Sequence, residues 1–281
     1  MKKRALASLL LLLACQTLQA QTEVLIEVDT GRTIGGSGVV QRAILTLPRT
    51  PTDTSLLFFR GSPGYMLVKT LQDKRRNLGW LETTESLLLD AGIALVLMDC
   101  PTDQWGDDPR PPARSCLNDY RKSQQHADDV RKLMARLREQ HGLTKLFIMG
   151  HSMGTVSSRW LAINLRKEEI AGTIHSAALN VSKPTGRLHD VIGELSGEFP
   201  RSAAGAPMLH VHHEMDACQF TPYEFVRNYA RDNLVTVRGG IARCDPCRVT
   251  HLHSYYGREE VVTRSIISWI KTGKVDTVIG E

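Results

Sequence analysis

The sequence has little excess charge of either sign and no apolar run long enough to cross a membrane. Its 35 Lys and Arg residues stand against 30 Asp and Glu residues, which gives a formal net charge of +5. This charge is too small and too dispersed to indicate binding to nucleic acid or to an anionic membrane. The apolar stretch Ala5 to Ala14 falls well short of the roughly 20 residues that a transmembrane helix needs.

Internal repeats, low-complexity linkers and the spaced His or Cys–His motifs of metal sites are also missing. The 281 residues suit one large domain or two small ones, and without a linker or a domain boundary we expect one domain with a sizeable core. A histidine cluster at His210, His212 and His213 comes nearest to a metal motif. A strand in the middle of a covered sheet buries both of its faces, so we expect core histidines there and predict neither a metal nor a cofactor.

The first twenty residues have the order of segments that is typical of a secretory signal. A basic segment, an apolar segment and a cleavage site follow one another, at Lys2-Lys-Arg4, Ala5 to Ala14 and Leu18-Gln-Ala20. We predict a signal peptide over 1–20 and a single periplasmic or secreted domain over 21–281. Removal of the three basic residues would leave a net charge of +2. The sequence indicates no oligomeric state.

The six cysteines agree with export, because oxidising compartments permit disulfides. Cys15 ends the segment Leu12-Leu-Ala-Cys15, which resembles a bacterial lipobox despite an unusual leucine at position 13. If this segment is a lipobox, Cys15 would carry a lipid anchor. The alternative is that Cys15 is an incidental residue of the signal peptide. The other five cysteines are Cys100, Cys116, Cys218, Cys244 and Cys247. Because five is an odd number, one thiol is left over if two disulfides form.

Strands and helices are predicted to alternate along most of the chain, after an opening hairpin. Most of the strands are continuous apolar runs, which indicates a mainly parallel sheet with helices on both faces. The predicted strands are Thr22–Asp29, Val39–Leu47, Ser55–Phe59, Ile93–Met98, Leu146–Met149, Ile170–Ala177, Met208–His212 and Leu234–Val237. The predicted helices are about 77–90, Ser123–His141, Thr155–Asn164, Tyr223–Tyr229 and Arg258–Lys271.

Ser152 lies in Gly150-His-Ser-Met-Gly154, between a predicted strand and a predicted helix. In that context a G-x-S-x-G holds its serine in a strained turn, where larger neighbours than glycine would clash. The N-terminus of the following helix offers N–H groups to a developing oxyanion. An acid and then a histidine follow in the order Ser, Asp, His. We interpret Ser152 as a nucleophile; the alternative is a serine in an ordinary glycine-rich turn.

We call the strand–turn–helix segment around Ser152 the elbow. This elbow, the alternation of elements and the residue order resemble the α/β-hydrolase superfamily over essentially all of 21–281. The resemblance implies a mostly parallel eight-stranded sheet with helices on both faces and a serine hydrolase, but it implies no substrate. The chain is similar to the compact members, because the usual lid position, about 178–206, holds only some thirty residues.

The resemblance also implies the partners of the nucleophile. The family's acid follows the strand that ends in this chain as His210-Val-His-His, so Asp216 is the candidate and Glu214 the substitute. The alternative for Asp216 is a cap of the next helix. His253 fits the family pattern H-x-[FY]-x-G-x-E as a general base, whereas His251 does not.

The second oxyanion donor of the family lies after the third strand, here Arg60-Gly-Ser-Pro-Gly64. Arg60 stands where a histidine is common and Ser62 where a glycine is common. We expect the backbone N–H groups of Ser62 and Met153 to form the oxyanion hole. The alternatives are a simple strand-ending turn and a salt-bridge or substrate-binding role for Arg60.

Two disulfides are expected. Because the family's acid and base loops converge, the resemblance implies a Cys218–Cys247 bond, with Cys244 as the second choice of partner. Cys100 and Cys116 could join across the long polar loop at about 99–119. A disulfide that closes a loop of this length contributes about 3 kcal/mol in the chain-entropy model.

Together these residues predict an exported serine hydrolase that works by acyl transfer on small-molecule substrates. We prefer carboxylic esters to peptides, because a short lid leaves little sequence for an acidic pocket that binds an amine. The alternatives are a peptidase of the same fold, a non-catalytic envelope or binding protein that retains the fold, and a metal-dependent enzyme that uses the histidine cluster.

Overall fold

The computed structural model of the protein describes residues 21–75, 78–105, 116, 118–180 and 205–280. Its strands are β1 (Thr22–Ile34), β2 (Ser37–Leu47), β3 (Thr54–Phe59), β4 (Ala94–Met98), β5 (Lys145–His151), β6 (Gly172–Ser176), β7 (Met208–His213), β8 (Leu234–Val237) and β9 (Val278–Ile279). Its α-helices are α1 (Glu85–Asp90), α2 (Asn118–Lys122), α3 (Gln124–His141), α4 (Thr155–Asn164), α5 (Tyr223–Ala230) and α6 (Glu259–Thr272). The leader with Cys15, and most of the lid position, lie outside the described residues.

One sheet contains all nine described strands, in the order β1-β2-β4-β3-β5-β6-β7-β8-β9. The hairpin β1–β2 is antiparallel, as is the pairing of β2 with β4. All strands from β3 onward pair in parallel with one another. The predicted α/β-hydrolase sheet is therefore confirmed, and β9, with two residues, is an addition to the eight predicted strands.

The core has a layer on each face of this sheet. Leu56 and Leu57 are adjacent in β3 and both fully buried, yet they belong to opposite layers. One layer includes Leu88 of α1 and Ile266 of α6, and the other includes Leu133 of α3. Continuous apolar strands are what such double burial requires.

The helix predicted over about 77–90 is in part wrong. A 3₁₀ turn covers Gly79–Thr83, and α1 begins only at Glu85. Between them Thr84 leaves the helical region, with φ −130° and ψ 3°. Its buried hydroxyl accepts a hydrogen bond of 2.9 Å from Thr263 of α6. A β-branched residue has a lower helix propensity, and the hydrogen bond of its side chain to another element favours the non-helical conformation of Thr84.

The carboxyl ends of the parallel strands meet at one edge of the sheet, where α/β proteins bind their ligands. The turn after β3, the end of β5 and the loops after β7 and β8 all reach this edge. They carry Ser62, Ser152, Asp216 and His253, respectively. None of the described helices is long and apolar enough to span a membrane.

Candidate active site

Ser152 lies at a sharp turn between β5 and α4. Its φ is +52°, and it opens a single 3₁₀ turn, Ser152–Gly154, that leads into the helix. A side chain at positive φ is strained, and such strain persists only where the surroundings hold it. One such restraint is Thr155, whose hydroxyl donates to the carbonyl of Ser152 at 2.6 Å. The strained turn predicted for the serine is present.

The glycines around Ser152 allow the turn after β3 to lie directly against the elbow. A Cβ on Gly154 would overlap the carbonyl oxygen of Phe59, and one on Gly150 would overlap the carbonyl of Gly154. A Cβ on Gly61 would lie 3.2 Å from that of Ser152. Larger residues would push the two segments apart, so these glycines set the distance between the serine and the turn that follows β3.

Asp216 and His253 are in contact, although 37 positions separate them in the chain. Oδ2 of Asp216 is 2.9 Å from Nδ1 of His253, and the two side chains are 0% and 3% exposed. Because an ionised carboxylate can only accept, Nδ1 of His253 carries the hydrogen. The structure thus brings together the predicted acid and the predicted base.

Three further groups hold the carboxylate of Asp216. The backbone N–H of Cys218 donates to Oδ1 at 2.9 Å, and the hydroxyl of Thr221 donates to Oδ2 at 2.8 Å. Nε2 of His212 lies 3.3 Å from Oδ2. Burial alone would raise the pKa of Asp216, but the hydrogen bonds from His212 and His253 hold it well below the usual carboxyl range. Asp216 is therefore ionised throughout the range in which enzymes are assayed.

The other candidates do not join this pair. Glu214 forms a partly exposed ion pair with Arg238 at 3.0 Å. His251 is buried at the start of the turn that carries His253, and its carbonyl accepts from the backbone of Ser254. Asp216 is also not a helix cap, because the N-cap of α5 is Pro222, with no side-chain cap.

His151, which sequence reasoning left unassigned, links the elbow to the loop of the base. Its Nδ1 is 2.9 Å from the hydroxyl of Ser176, and its Nε2 is 3.3 Å from that of Ser254. Its ring centroid lies 5.2 Å from that of His253. Burial, and secondarily the charge of His253, hold the pKa of His151 well below its usual value. A neutral imidazole thus packs beside the candidate base.

The turn Gly61–Gly64 closes with a hydrogen bond of 2.8 Å from the N–H of Gly64 to the carbonyl of Gly61. Ser62 is exposed on it, and Met153 is buried below. A Cβ on Gly64 would lie 3.0 Å from the sulfur of Met153. The two residues predicted to supply oxyanion donors therefore lie on segments that pack against each other. Burial lowers the pKa of the nearby Arg60.

Both expected disulfides are present. Cys218 is bonded to Cys247, and Cys100 is bonded to Cys116. Cys244 is a free, exposed thiol. The first bond joins the acid loop to the loop that leads to His253, as predicted.

The histidine cluster is divided among separate contacts. Nε2 of His213 lies 2.6 Å from the carbonyl of Gly239, and Nε2 of His212 lies 2.8 Å from the carbonyl of Thr221. His210 packs edge-on against the ring of Tyr229. Within the described ranges, no three His, Cys, Asp or Glu side chains are grouped so that they could hold a metal ion.

Sequence reasoning missed Thr221, His212 and His151. For His151 the missing signal is tertiary, because its partners Ser176 and Ser254 lie on other segments. Thr221 and His212 are close to Asp216 in the sequence, but no motif marks their contacts with it. The local hint is the short spacing, four residues from His212 to Asp216 and five from Asp216 to Thr221.

Solved structures of hydrolases resemble the chain over most of its length. An esterase from Pyrococcus furiosus aligns with 89% of this chain and 92% of its own, at 11% identity and a TM-score of 0.57. Est1E from Butyrivibrio proteoclasticus aligns over 88% and 97%, at 14% identity and a TM-score of 0.54. Dienelactone hydrolase from Anabaena variabilis aligns over 92% and 100%, at 16% identity and a TM-score of 0.54. At these identities the likeness concerns the fold.

No curated protein matches the sequence. The family model described as "Serine aminopeptidase, S33" matches residues 88–244, more than half of the chain. That region runs from α1 through the elbow to the loop after β8. The protein therefore belongs to the serine aminopeptidase S33 family of α/β hydrolases, and it is a serine hydrolase.

Proposed function

We propose that the protein cleaves small carboxylic esters by acyl transfer, with Ser152 as nucleophile, His253 as general base and Asp216 as the orienting acid. One observation carries the assignment. A buried, ionised Asp216 holds Nδ1 of His253 at the sheet edge where Ser152 lies in a strained turn. Such a hydrogen bond is how a serine hydrolase fixes the tautomer of its histidine.

In the first half of the reaction, His253 activates the serine. Its Nδ1 carries a hydrogen and donates it to the carboxylate of Asp216. Nε2 is therefore the ring nitrogen that can accept the proton of Ser152 as Oγ attacks the ester carbonyl. The ionised Asp216 then stabilises the imidazolium. His253 returns the proton to the leaving alcohol, and water releases the acyl group by the same steps in reverse.

The tetrahedral oxyanion needs donors that are in place before the reaction. The backbone N–H of Met153, directly after the nucleophile, and that of Ser62, on the neighbouring turn, are the proposed pair. The close packing of Gly61 on Ser152 and of Gly64 on Met153 supports this assignment.

Esters are the preferred substrates because both acidic residues of the loop after β7 already bind other side chains of the protein. An aminopeptidase needs a carboxylate to bind the substrate's ammonium group. Glu214 pairs with Arg238, and Asp216 holds His253. The name of the family nevertheless makes amino-terminal peptide cleavage the second candidate.

We propose in addition that the chain is exported to the periplasm or secreted. The order of basic, apolar and cleavage segments in the first twenty residues supports this, as do the two disulfides.

A substrate panel with wild type and Ser152→Ala tests the function. Nitrophenyl esters of increasing acyl length and aminoacyl nitroanilides would be compared, with a fluorophosphonate probe to label the nucleophile. We expect turnover of short esters, labelling of the wild type alone and a loss of several orders of magnitude in Ser152→Ala. A variant that keeps more than about a tenth of the wild-type rate would refute Ser152 as nucleophile. Turnover of the nitroanilides alone would establish the peptidase.

A further inference from the structure

A fully buried arginine lies behind the turn that carries Ser62. Arg121, in α2, is 1% exposed. Its Nη2 donates to the carbonyl of Gly64 at 2.5 Å, its Nη1 to the hydroxyl of Ser157 at 2.8 Å and its Nε to the carbonyl of Cys116 at 3.3 Å. One planar group thus joins the turn after β3, the first turn of α4 and the Cys100–Cys116 disulfide.

Among the described residues, none of the hydrogen bonds of Arg121 goes to a carboxylate. Burial lowers its pKa to about 10, with Tyr120 and Asp99 opposing the shift, so the side chain is still a cation at neutral pH. Within the described part of the chain the guanidinium is therefore hydrogen-bonded to neutral acceptors alone, and burying a cation in this way is costly to folding.

The guanidinium of Arg121 lies directly against the turn that carries Ser62. A Cβ on Gly64 would overlap Nη2 of Arg121 and would lie 3.0 Å from the sulfur of Met153. The guanidinium therefore lies against the turn of Ser62 at the same glycine that packs against Met153 of the elbow. These are the two segments that supply the proposed oxyanion donors.

We propose that Arg121 is a positioning residue of the oxyanion hole, which fixes the Gly61–Gly64 turn against the elbow and places a buried positive charge behind the oxyanion. The inference rests on the proposed acyl-transfer function. Preorganised charge in a water-excluded site acts on the transition state more than on the bound substrate. Arg121 should therefore affect kcat rather than KM.

The test compares Arg121→Met and Arg121→Lys with wild type on the best ester. Loss of one oxyanion donor costs about 10²–10³-fold in kcat, and Arg121 acts through the donors, so Arg121→Met should lose about 10–100-fold. KM should change by less than about threefold, and a boronic acid that mimics the tetrahedral intermediate should bind more weakly by the same factor as kcat falls. Arg121→Lys keeps the charge but loses the planar fork, so its kcat should lie between the two.

Arg159→Met is the matched control, because Arg159 is also 1% exposed. It lies on α4, and its side chain donates to the carbonyl of Leu179 and to Asn180 at 2.9 Å each, not to the turn after β3. It should lower the melting temperature without the paired loss in kcat and in boronic acid affinity. The same paired loss in Arg159→Met would show that Arg121 is merely structural and would overturn the proposal.

Two further outcomes separate this inference from the function on which it rests. If Ser152→Ala is inactive while folded Arg121→Met stays within about threefold of wild-type kcat, the inference fails and the acyl-transfer assignment stands. If Ser152→Ala remains active, both fail. Should Arg121→Met not fold, Arg121→Lys and Ser157→Ala decide the matter, and unchanged kcat and boronic acid affinity in both would overturn it.

Discussion

The backbone N–H of Cys218 donates a hydrogen bond of 2.9 Å to Oδ1 of Asp216. The sulfur of the same residue is bonded to Cys247, six positions before His253. The disulfide therefore holds both the proposed acid and the segment that leads to the proposed base. A reaction that depends on the position of its base tolerates little displacement there.

We expect removal of this disulfide to lower catalysis before it unfolds the protein. In Cys218→Ala with Cys247→Ala, kcat should fall about tenfold or more at a temperature where the fold is intact, because small displacements of catalytic groups carry large rate penalties. Activity and circular dichroism, followed together, measure this. Cys244→Ser, which removes the free thiol, is the control and should behave as wild type. Equal activity in the double variant and wild type would contradict the prediction.

Asp216→Asn should damage catalysis more than Glu214→Gln. Asparagine cannot hold the tautomer of His253 in which Nδ1 carries the hydrogen, and the corresponding change in serine proteases costs about 10⁴ in rate. Glu214 makes only an ion pair with Arg238, so Glu214→Gln should leave kcat nearly unchanged. Single-turnover kinetics of both variants compare them directly. A larger loss in Glu214→Gln would place the acid two residues earlier.

Thr221→Val should reduce kcat through Asp216. The substitution keeps the shape of the side chain but removes the hydroxyl that donates to Oδ2 at 2.8 Å. Since a hydrogen bond to a charged group contributes about 1.5–3 kcal/mol, and only part of it acts in the transition state, we expect a loss of about three- to tenfold in kcat. Thr236→Val is the matched control, because that buried hydroxyl pairs with Tyr223 instead. Similar kinetics for the two variants would argue against the role of Thr221.

His126→Phe should make the fold more resistant to acid. His126 packs against the rings of Phe59 and Tyr120, neither ring nitrogen has a partner in the described structure, and burial with the charge of Arg121 lowers its pKa to about 3. An unfolded histidine has a pKa of about 6.5, so only the unfolded state gains a proton as the pH falls below that value. The stabilising contribution is thus complete above pH 6.5 and is lost at about 1.4 kcal/mol per pH unit below it.

Urea unfolding at pH 8 and pH 5 measures this effect. Between those values His126 should cost the wild type about 2 kcal/mol of unfolding free energy that His126→Phe does not lose. The variant at pH 8 is its own reference for any change in packing. An identical loss in the two proteins would show that His126 does not titrate on unfolding.

The sheet and the strained turn at Ser152 could be predicted because their signals are local. Apolar runs mark β3, β4 and β5, and Ser152 carries its flanking glycines beside it in the sequence. Thr84 shows the limit, since the helix is interrupted where its hydroxyl accepts a hydrogen bond from Thr263, which lies 179 positions away.

The surroundings of the site are less accessible for the same reason. Arg121 reaches Gly64 across 57 positions, and Thr221 meets His253 across 32. From the sequence, an arginine in a short polar segment is expected to be exposed to solvent, and only the folded structure shows that Arg121 is buried. Acid and base could be named only through the resemblance to a known family, which supplies the missing tertiary information.

Each of the two disulfides contains a cysteine whose backbone contacts the surroundings of the site: Cys116 accepts a hydrogen bond from Arg121, and Cys218 donates one to Asp216. In a compartment that keeps thiols reduced, a newly made chain has neither bond. It would then lack the restraint on its proposed acid and the restraint on the turn of Ser62 at the same time. If the protein is exported as proposed, it would therefore turn over substrate more slowly where it is synthesised than after both pairs of thiols have been oxidised.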